Sequence, residues 1–223
     1  MNDTAPSLRH VTVIVAATAG LSDVRAREAV LARTAEEFGV APRALSVRHD
    51  GEGRPLLHGL GPGTHISISH GHGLASVAVT GLGAVGVDVE AVRPLPALRL
   101  ARRWFTPAEA AWLRALPEPY RPAAYFWLWT HKEATGKALG TGLGRGGLLR
   151  PVPLPATWPP PARARLRWDG TPSVPALAVA APALALPSLA ASASLAVAAA
   201  GPRAEGAFVD VRVRDSTGAQ GRA

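Results

Sequence analysis

Two short stretches of this 223-residue chain place ionisable groups where apolar neighbours would exclude water. The first, YFWLWTHKEATGKAL at 125–139, has the period of a helix. At about 100° per residue, Phe126, Thr130, Glu133 and Lys137 share one face, and Leu128, Thr135, Ala138 and Leu139 share the opposite one. Glu133 and Lys137 then lie one turn apart, roughly 6 Å along the axis. Such a pair is ordinarily a solvated surface contact. Here Phe126, Trp127 and Trp129 crowd the preceding turn, and a carboxylate beside that bulk needs a cation or a hydrogen-bond partner. Glu133 is therefore a candidate ligand or base. The second stretch is GAVGVDVEAVRP at 83–94. On a strand, Asp88 and Glu90 project from one face while Val87 and Val89 point to the other. Two adjacent carboxylates repel, so burying both calls for a cation between them, and oxygen donors suit a hard divalent ion such as Mg²⁺ or Mn²⁺. The alternative is an exposed strand end with two solvated acids; the apolar run from Ala84 onward weighs against it.

Other motifs fail on context. A G-x-G-x-x-G at Gly81, Gly83 and Gly86 opens onto strand-like VDVE instead of a helix, so it is not a dinucleotide fingerprint. The glycine-rich loop at 140–147 follows a helix and lacks G-K-[ST], which leaves a flap or helix cap. His65, His70 and His72 do not have a clear third ligand at zinc spacing. Ser69 and His70 are strand neighbours pointing apart, which excludes a nucleophile–base pair but leaves a phosphate or amide grip.

The elements that must position these groups follow from pattern and punctuation. A Val/Ile strand is expected at 10–16, then a helix capped by Ser22 and ended near Phe38 by Gly39. Strands are expected at 44–48, 65–69, 74–80 and 84–90, the last three as an antiparallel meander. Residues 93–100 read as a Pro-punctuated connector. Thr106-Pro107-Ala108-Glu109 reads as a capping box opening a helix. The long helix has Pro122 in its first turn and Gly140 as its stop. Strand-like pieces follow at 164–168, 177–180, 194–199 and 207–213, and 215–223 reads as a disordered tail. Two α+β halves, 1–100 and 101–214, would leave a cleft between them.

Composition bounds the partners. The net charge of +8 favours an anionic partner, polyphosphate or nucleic acid. No aromatic-rich binding strand or recognition helix supports nucleic acid. With no cysteine there is neither a disulfide nor a thiol nucleophile. Val11–Ala17 is too short for a signal peptide, and Pro175, Pro182 and Pro187 break up the only other long apolar stretch. A cytoplasmic protein without membrane contact is expected.

GVDVE at 86–90, followed by WTHKEATGKALGTGL at 129–143, resembles the two signature motifs of the 4′-phosphopantetheinyl transferase superfamily, G-[IV]-D-x-E and W-x-x-K-E-[AS]-x-x-K. RWFTPAEAAWL at 103–113 is similar to the segment between those motifs. GRP at 53–55 and ISISH at 66–70 resemble upstream blocks. The likeness runs from about residue 21 to 150, and the size resembles the monomeric, surfactin-synthetase-activating type. It implies two similar α+β subdomains related by pseudo-twofold symmetry. Where the family often has Lys, this chain has Arg54, and no basic cluster precedes the first helix.

The resemblance implies an enzyme of the holo-acyl-carrier-protein synthase type. It would move the phosphopantetheine arm of coenzyme A, its co-substrate, to a serine of an acyl or peptidyl carrier protein, releasing 3′,5′-ADP. Asp88, Glu90 and Glu133 would hold Mg²⁺, with Mn²⁺ as the alternative, and Lys137 would contact the phosphates. Glu133 would take the serine proton directly or through a metal-bound water. Ser69, His70 and Arg54 would bind the nucleotide end of coenzyme A, with Arg25, or Arg27 in the alternative register, as a helix-borne phosphate contact. The competing readings are a coenzyme A- or carrier-binding relative without turnover and a basic nucleic-acid-binding module.

Overall fold

The computed structural model describes residues 8–144, 146–168, 177–180, 192–201 and 203–214. The described residues form a mixed α+β fold with two sheets. In the six-stranded sheet the order is β10 (Val209–Arg214), β1 (Val11–Ala17), β5 (Leu74–Thr80), β4 (His65–Gly71), β3 (Pro55–His58) and β2 (Ser46–His49). The four-stranded sheet runs β6 (Val85–Ala91), β9 (Ala193–Ala200), β8 (Leu177–Ala180) and β7 (Arg167–Trp168). Only β1 and β10 pair in parallel; the other ladders are antiparallel. Strands cross the division expected near residue 100: β6 pairs with β9, and β10 pairs with β1.

Period-two burial sets the layers. Val11, Val13 and Val15 of β1 pack with Val85, Val87, Val89, Leu195 and Val197 between the sheets. Ile14 and Ala16 face the other way, joining Val77, Val79 and Ile66 under helix α1 (Asp23–Glu37). That helix begins at the expected cap, where the Ser22 side chain accepts from the Arg25 N–H, and ends at Gly39 with φ 66°. On the far side of the smaller sheet, Ala134 and Ala138 of helix α4 (Arg121–Leu139) pack on Ala196 and Ala198 of β9. Small residues on both partners let the helix lie close to the sheet.

Helices α2 (Ala97–Trp104) and α3 (Pro107–Ala115) pack with the first half of α4 around Phe105, Leu113, Tyr125, Phe126 and Leu128. The Thr106 capping box of α3 is present in both directions. Gly140 closes α4 at φ 68°. Buried positions wrap almost round α4, among them Leu128, Thr130, His131, Lys132 and Thr135, so it is an interior helix instead of a two-faced surface one.

Three expectations are corrected. The meander is only a hairpin: β4 and β5 pair, but β6 leaves for the other sheet. Gly83 carries the crossing at φ 141°, and a side chain there would strike the Ala200 carbonyl. Pro55–His58, where no strand was expected, form β3, in which only Leu57 is buried. The connector at 93–100 contains the start of α2, whose cap residue Pro96 makes no side-chain capping bond and so left no signal. The tail at 215–223 and most of 174–191 lie outside the described residues. Among the described residues, no helix is long and apolar enough to cross a membrane.

Candidate active site

Strand β6 is an edge strand, and its outer edge is not left bare. The alternation in ISISH places Ile66 and Ile68 toward α1 and Ser67 and Ser69 toward β6. The Ser67 hydroxyl accepts from the Val87 N–H at 3.1 Å, and the Ser69 hydroxyl donates to Asp88 Oδ1 at 2.6 Å. From α4, Lys137 Nζ donates to the Val87 carbonyl at 3.0 Å and to Asp88 Oδ1 at 2.9 Å. Side chains thus replace the missing ladder and fix Asp88 in the same stroke. Ser69 is committed to Asp88, and it positions that carboxylate instead of lining the adjoining groove. Lys137, expected beside Glu133, bonds to Asp88 across the interface.

The β6–α4 contact is backbone on backbone. A Cβ at Gly86 would overlap the Ala134 carbonyl oxygen, so only glycine lets the strand and helix approach this closely. This closeness makes their charges interact. Burial pushes the Asp88 carboxyl above its ordinary value, with Lys137 pulling the other way. Burial also raises Glu133; the Asp88 charge adds to the rise, Lys137 opposes it and Glu90 adds again. Asp88 is 4% exposed, and its Oδ2 has no hydrogen-bond partner among the described residues.

Glu90 sits at the rim. Arg93 Nη1 donates to it at 3.0 Å, and His72 Nδ1 stands 3.6 Å away from the β4–β5 turn. Burial, and after it the Glu90 charge, pushes the Tyr125 hydroxyl up to about 12, so Tyr125 stays protonated. Arg93 also lies 4.5 Å over the Phe126 ring. Sequence reading missed Arg93 and weighed His72 only as a zinc ligand. Arg93, three residues after Glu90, carried a signal; the reach of His72 depends on a turn whose φ of 51° no pattern announces.

Beside these acids opens a groove of about 580 Å³ whose lining includes Arg27, Arg54, His70, Lys137 and the Gly136–Gly140 turn. Arg54 is held by two devices. Asp50 Oδ1 accepts from the Glu52 and Arg54 N–H groups, shaping the turn, and Arg54 Nη2 donates to the Leu139 carbonyl at 3.1 Å at the α4 C-terminus. Arg54 Nε is buried without a hydrogen-bond partner among the described residues, with Glu52 Oε2 3.6 Å away. Of the two helix-borne candidates, Arg27 lines the groove. Arg25 is 74% exposed and pairs with Glu28 at 3.1 Å, away from it.

Among the described residues, no three His, Cys, Asp or Glu side chains stand ready-made as a metal cage. The donor set nevertheless suits a hard divalent cation in kind. Asp88 Oδ2 is an orphaned buried oxygen, Glu133 is electrostatically strained by Asp88 and Glu90, and every donor is oxygen.

A family model described as the 4′-phosphopantetheinyl transferase superfamily matches residues 84–175. That segment starts just before β6 and includes all of α4. Among curated relatives, the 4′-phosphopantetheinyl transferase HetI of Nostoc sp. (strain PCC 7120) is 35% identical over 111 residues, 48% of this chain and 47% of that protein. A 4′-phosphopantetheinyl transferase of Bacillus subtilis is 31% identical over 116 residues, 51% of this chain and 50% of that protein. The chain thus spans about half the length of the curated relatives it matches. Over its motif-bearing strand and helix, then, the chain is similar to the 4′-phosphopantetheinyl transferase superfamily.

Proposed function

We propose that this protein transfers the 4′-phosphopantetheine arm of coenzyme A to a serine hydroxyl of an acyl or peptidyl carrier protein. The serine oxygen forms a bond to the β-phosphorus as the pyrophosphate P–O bond breaks, and 3′,5′-ADP leaves. The observation that carries this reading is the convergence of Asp88, Glu133 and Lys137 beside a groove bearing Arg27 and Arg54. Acids alone would repel a pyrophosphate. Acids with an unsatisfied buried oxygen, next to cations that would bind one, suit a divalent ion and its phosphate ligand together.

Asp88, Glu90 and Glu133 would hold Mg²⁺, or Mn²⁺ in its place. Such an ion neutralises charge on the phosphate oxygens during transfer. Lys137 presents a point charge to the same oxygens from a position anchored on Val87 and Asp88. Arg54 and Arg27 bind the nucleotide-end phosphates, with His70 at the groove wall. Glu133, whose proton affinity is raised by burial and Asp88, is the group suited to take the serine proton. Ser69 holds Asp88 in place for all of this.

The test is to incubate the protein with coenzyme A, Mg²⁺ and an apo-carrier protein, then weigh the carrier by mass spectrometry. A gain of one phosphopantetheine is expected. An unchanged carrier, with coenzyme A still bound, would identify a non-transferring relative. Full turnover after chelation by EDTA would overturn the metal assignment.

A further inference from the structure

A second cavity, of about 250 Å³, lies behind α4. Its helix wall is Trp127, His131 and Thr135, successive turns of one face. Glu133 sits about 200° round the helix from His131, so the cavity and the transfer site occupy different sides. The opposite wall is the proline-rich segment from Pro151 to Pro161, and Arg150, Arg163 and Arg167 stand at its edges.

The polar groups here are almost all donors. Among the described residues, Trp127 Nε1 is buried without an acceptor, and so is one guanidinium nitrogen of Arg150, Nη1. A buried N–H without a partner costs free energy that a bound acceptor would recover. Among the described lining residues there is no carboxylate, and among the described residues neither Arg150 nor Arg163 makes an ion pair. Lys132, another lining cation, is already neutralised by Glu109 at 2.7 Å. His131 donates through Nδ1 to the Trp127 carbonyl at 2.7 Å, which fixes its ring against the indole, 4.0 Å between centroids. The remaining wall is apolar: Val152, Leu154 and Val179 line it, and prolines present CH₂ surface.

We propose that this cavity binds a small organic oxyanion, a carboxylate or phosphate on a compact apolar body, at a site separate from the coenzyme A groove. The anionic head pairs with Arg163 and Arg150 and accepts from Trp127 Nε1. The body lies between the Trp127 ring and the prolines. Nothing in this assignment depends on the transfer reaction.

The experiment is isothermal titration of the full chain, in EDTA, with three probes: phenyl phosphate, benzoate and inorganic phosphate. Saturable binding of phenyl phosphate or benzoate is expected, and which of the two binds more tightly identifies the head group. Arg163→Gln and Arg150→Gln should each weaken it by roughly tenfold or more, the loss of one charge-assisted hydrogen bond. Arg163 is exposed, so its variant will fold; circular dichroism checks both. Two groove variants, Lys137→Met and Arg54→Gln, should bind the same probe unchanged. Absence of saturable binding overturns the site. So does binding lost in the groove variants but kept in Arg163→Gln, which would move it to the groove. Inorganic phosphate binding as tightly as the aryl probes would overturn the apolar-body assignment.

Discussion

Helix α4 carries two lysines that each hold a carboxylate from another element, and the two pairs could hardly differ more. Lys132 and Glu109 are 0% and 1% exposed at their side chains. Every oxygen of Glu109 is used: Oε1 accepts from Lys132 at 2.7 Å and from the Val152 N–H at 2.9 Å, and Oε2 accepts from the Thr106 N–H at 2.9 Å. Lys132 donates again to the Arg150 carbonyl at 2.6 Å and lies 5.2 Å over the Phe105 ring. Lys137 is 27% exposed and lines the groove, while its buried partner Asp88 keeps one oxygen unbonded among the described residues. A buried pair with all its valences filled ties α4 to α3 and the segment after residue 149. A pair left incomplete has capacity for something else. The lesson is to ask of each buried charge what it still lacks, not whether it has a partner.

Breaking the closed pair should have the largest effect. Lys132→Met leaves Glu109 charged and sealed, and should cost about 3–5 kcal/mol in denaturant unfolding. Replacing both partners by apolar residues should recover much of that loss; no recovery would mean the pair is not acting as a unit. At the open pair the loss should fall on rate instead. Asp88→Asn or Glu133→Gln should slow carrier loading by about 10²–10³-fold, measured by mass spectrometry, with the fold intact by circular dichroism. Lys137→Met should cost less stability than Lys132→Met, since Ser69 still donates to Asp88 and burial favours the protonated form of that carboxyl; a loss equal to that of Lys132→Met would erase the contrast.

The pH dependence sharpens it further. Burial and Asp88 raise the folded-state value of Glu133, so its carboxyl favours the fold while protonated. That contribution is complete below the unfolded carboxylate value, about 4.3, and is lost as pH rises through the raised folded one. In EDTA, wild type and Glu133→Gln should be similar near pH 4 in thermal melts, with the variant gaining on wild type toward neutral pH. A gap constant with pH would show that Glu133 is not under strain. The smallest effect concerns the groove wall: Arg27→Ala should raise the KM for coenzyme A by about tenfold, whereas Arg25→Ala should leave it unchanged. The reverse result would restore the Arg25 register.

How much of this was legible follows from what each feature depends on. Asp88, Glu90 and Glu133 could be picked out because acids in apolar runs are conspicuous one residue at a time. The caps at Ser22, Thr106 and Gly140 were legible because capping is chemistry between residues three or four apart. The path of β6 was not, because it depends on Gly83 clearing a carbonyl more than a hundred residues away. Ser69 was read as a ligand contact, and its bond to Asp88 appears only once β4 flanks β6. Lys132 and Lys137 look alike in the motif; which one is sealed depends on Glu109, on another helix.

Gly86 has one more implication. Because strand and helix touch main chain to main chain there, the width between them is the least adjustable dimension of the molecule. Asp88, the shortest acid, is pinned by two neighbours, so any change in the spacing of the three acids falls to the longer arms of Glu90 and Glu133. A methyl group at residue 86 would therefore act like a wedge in a caliper, spoiling the gauge while leaving every jaw in place.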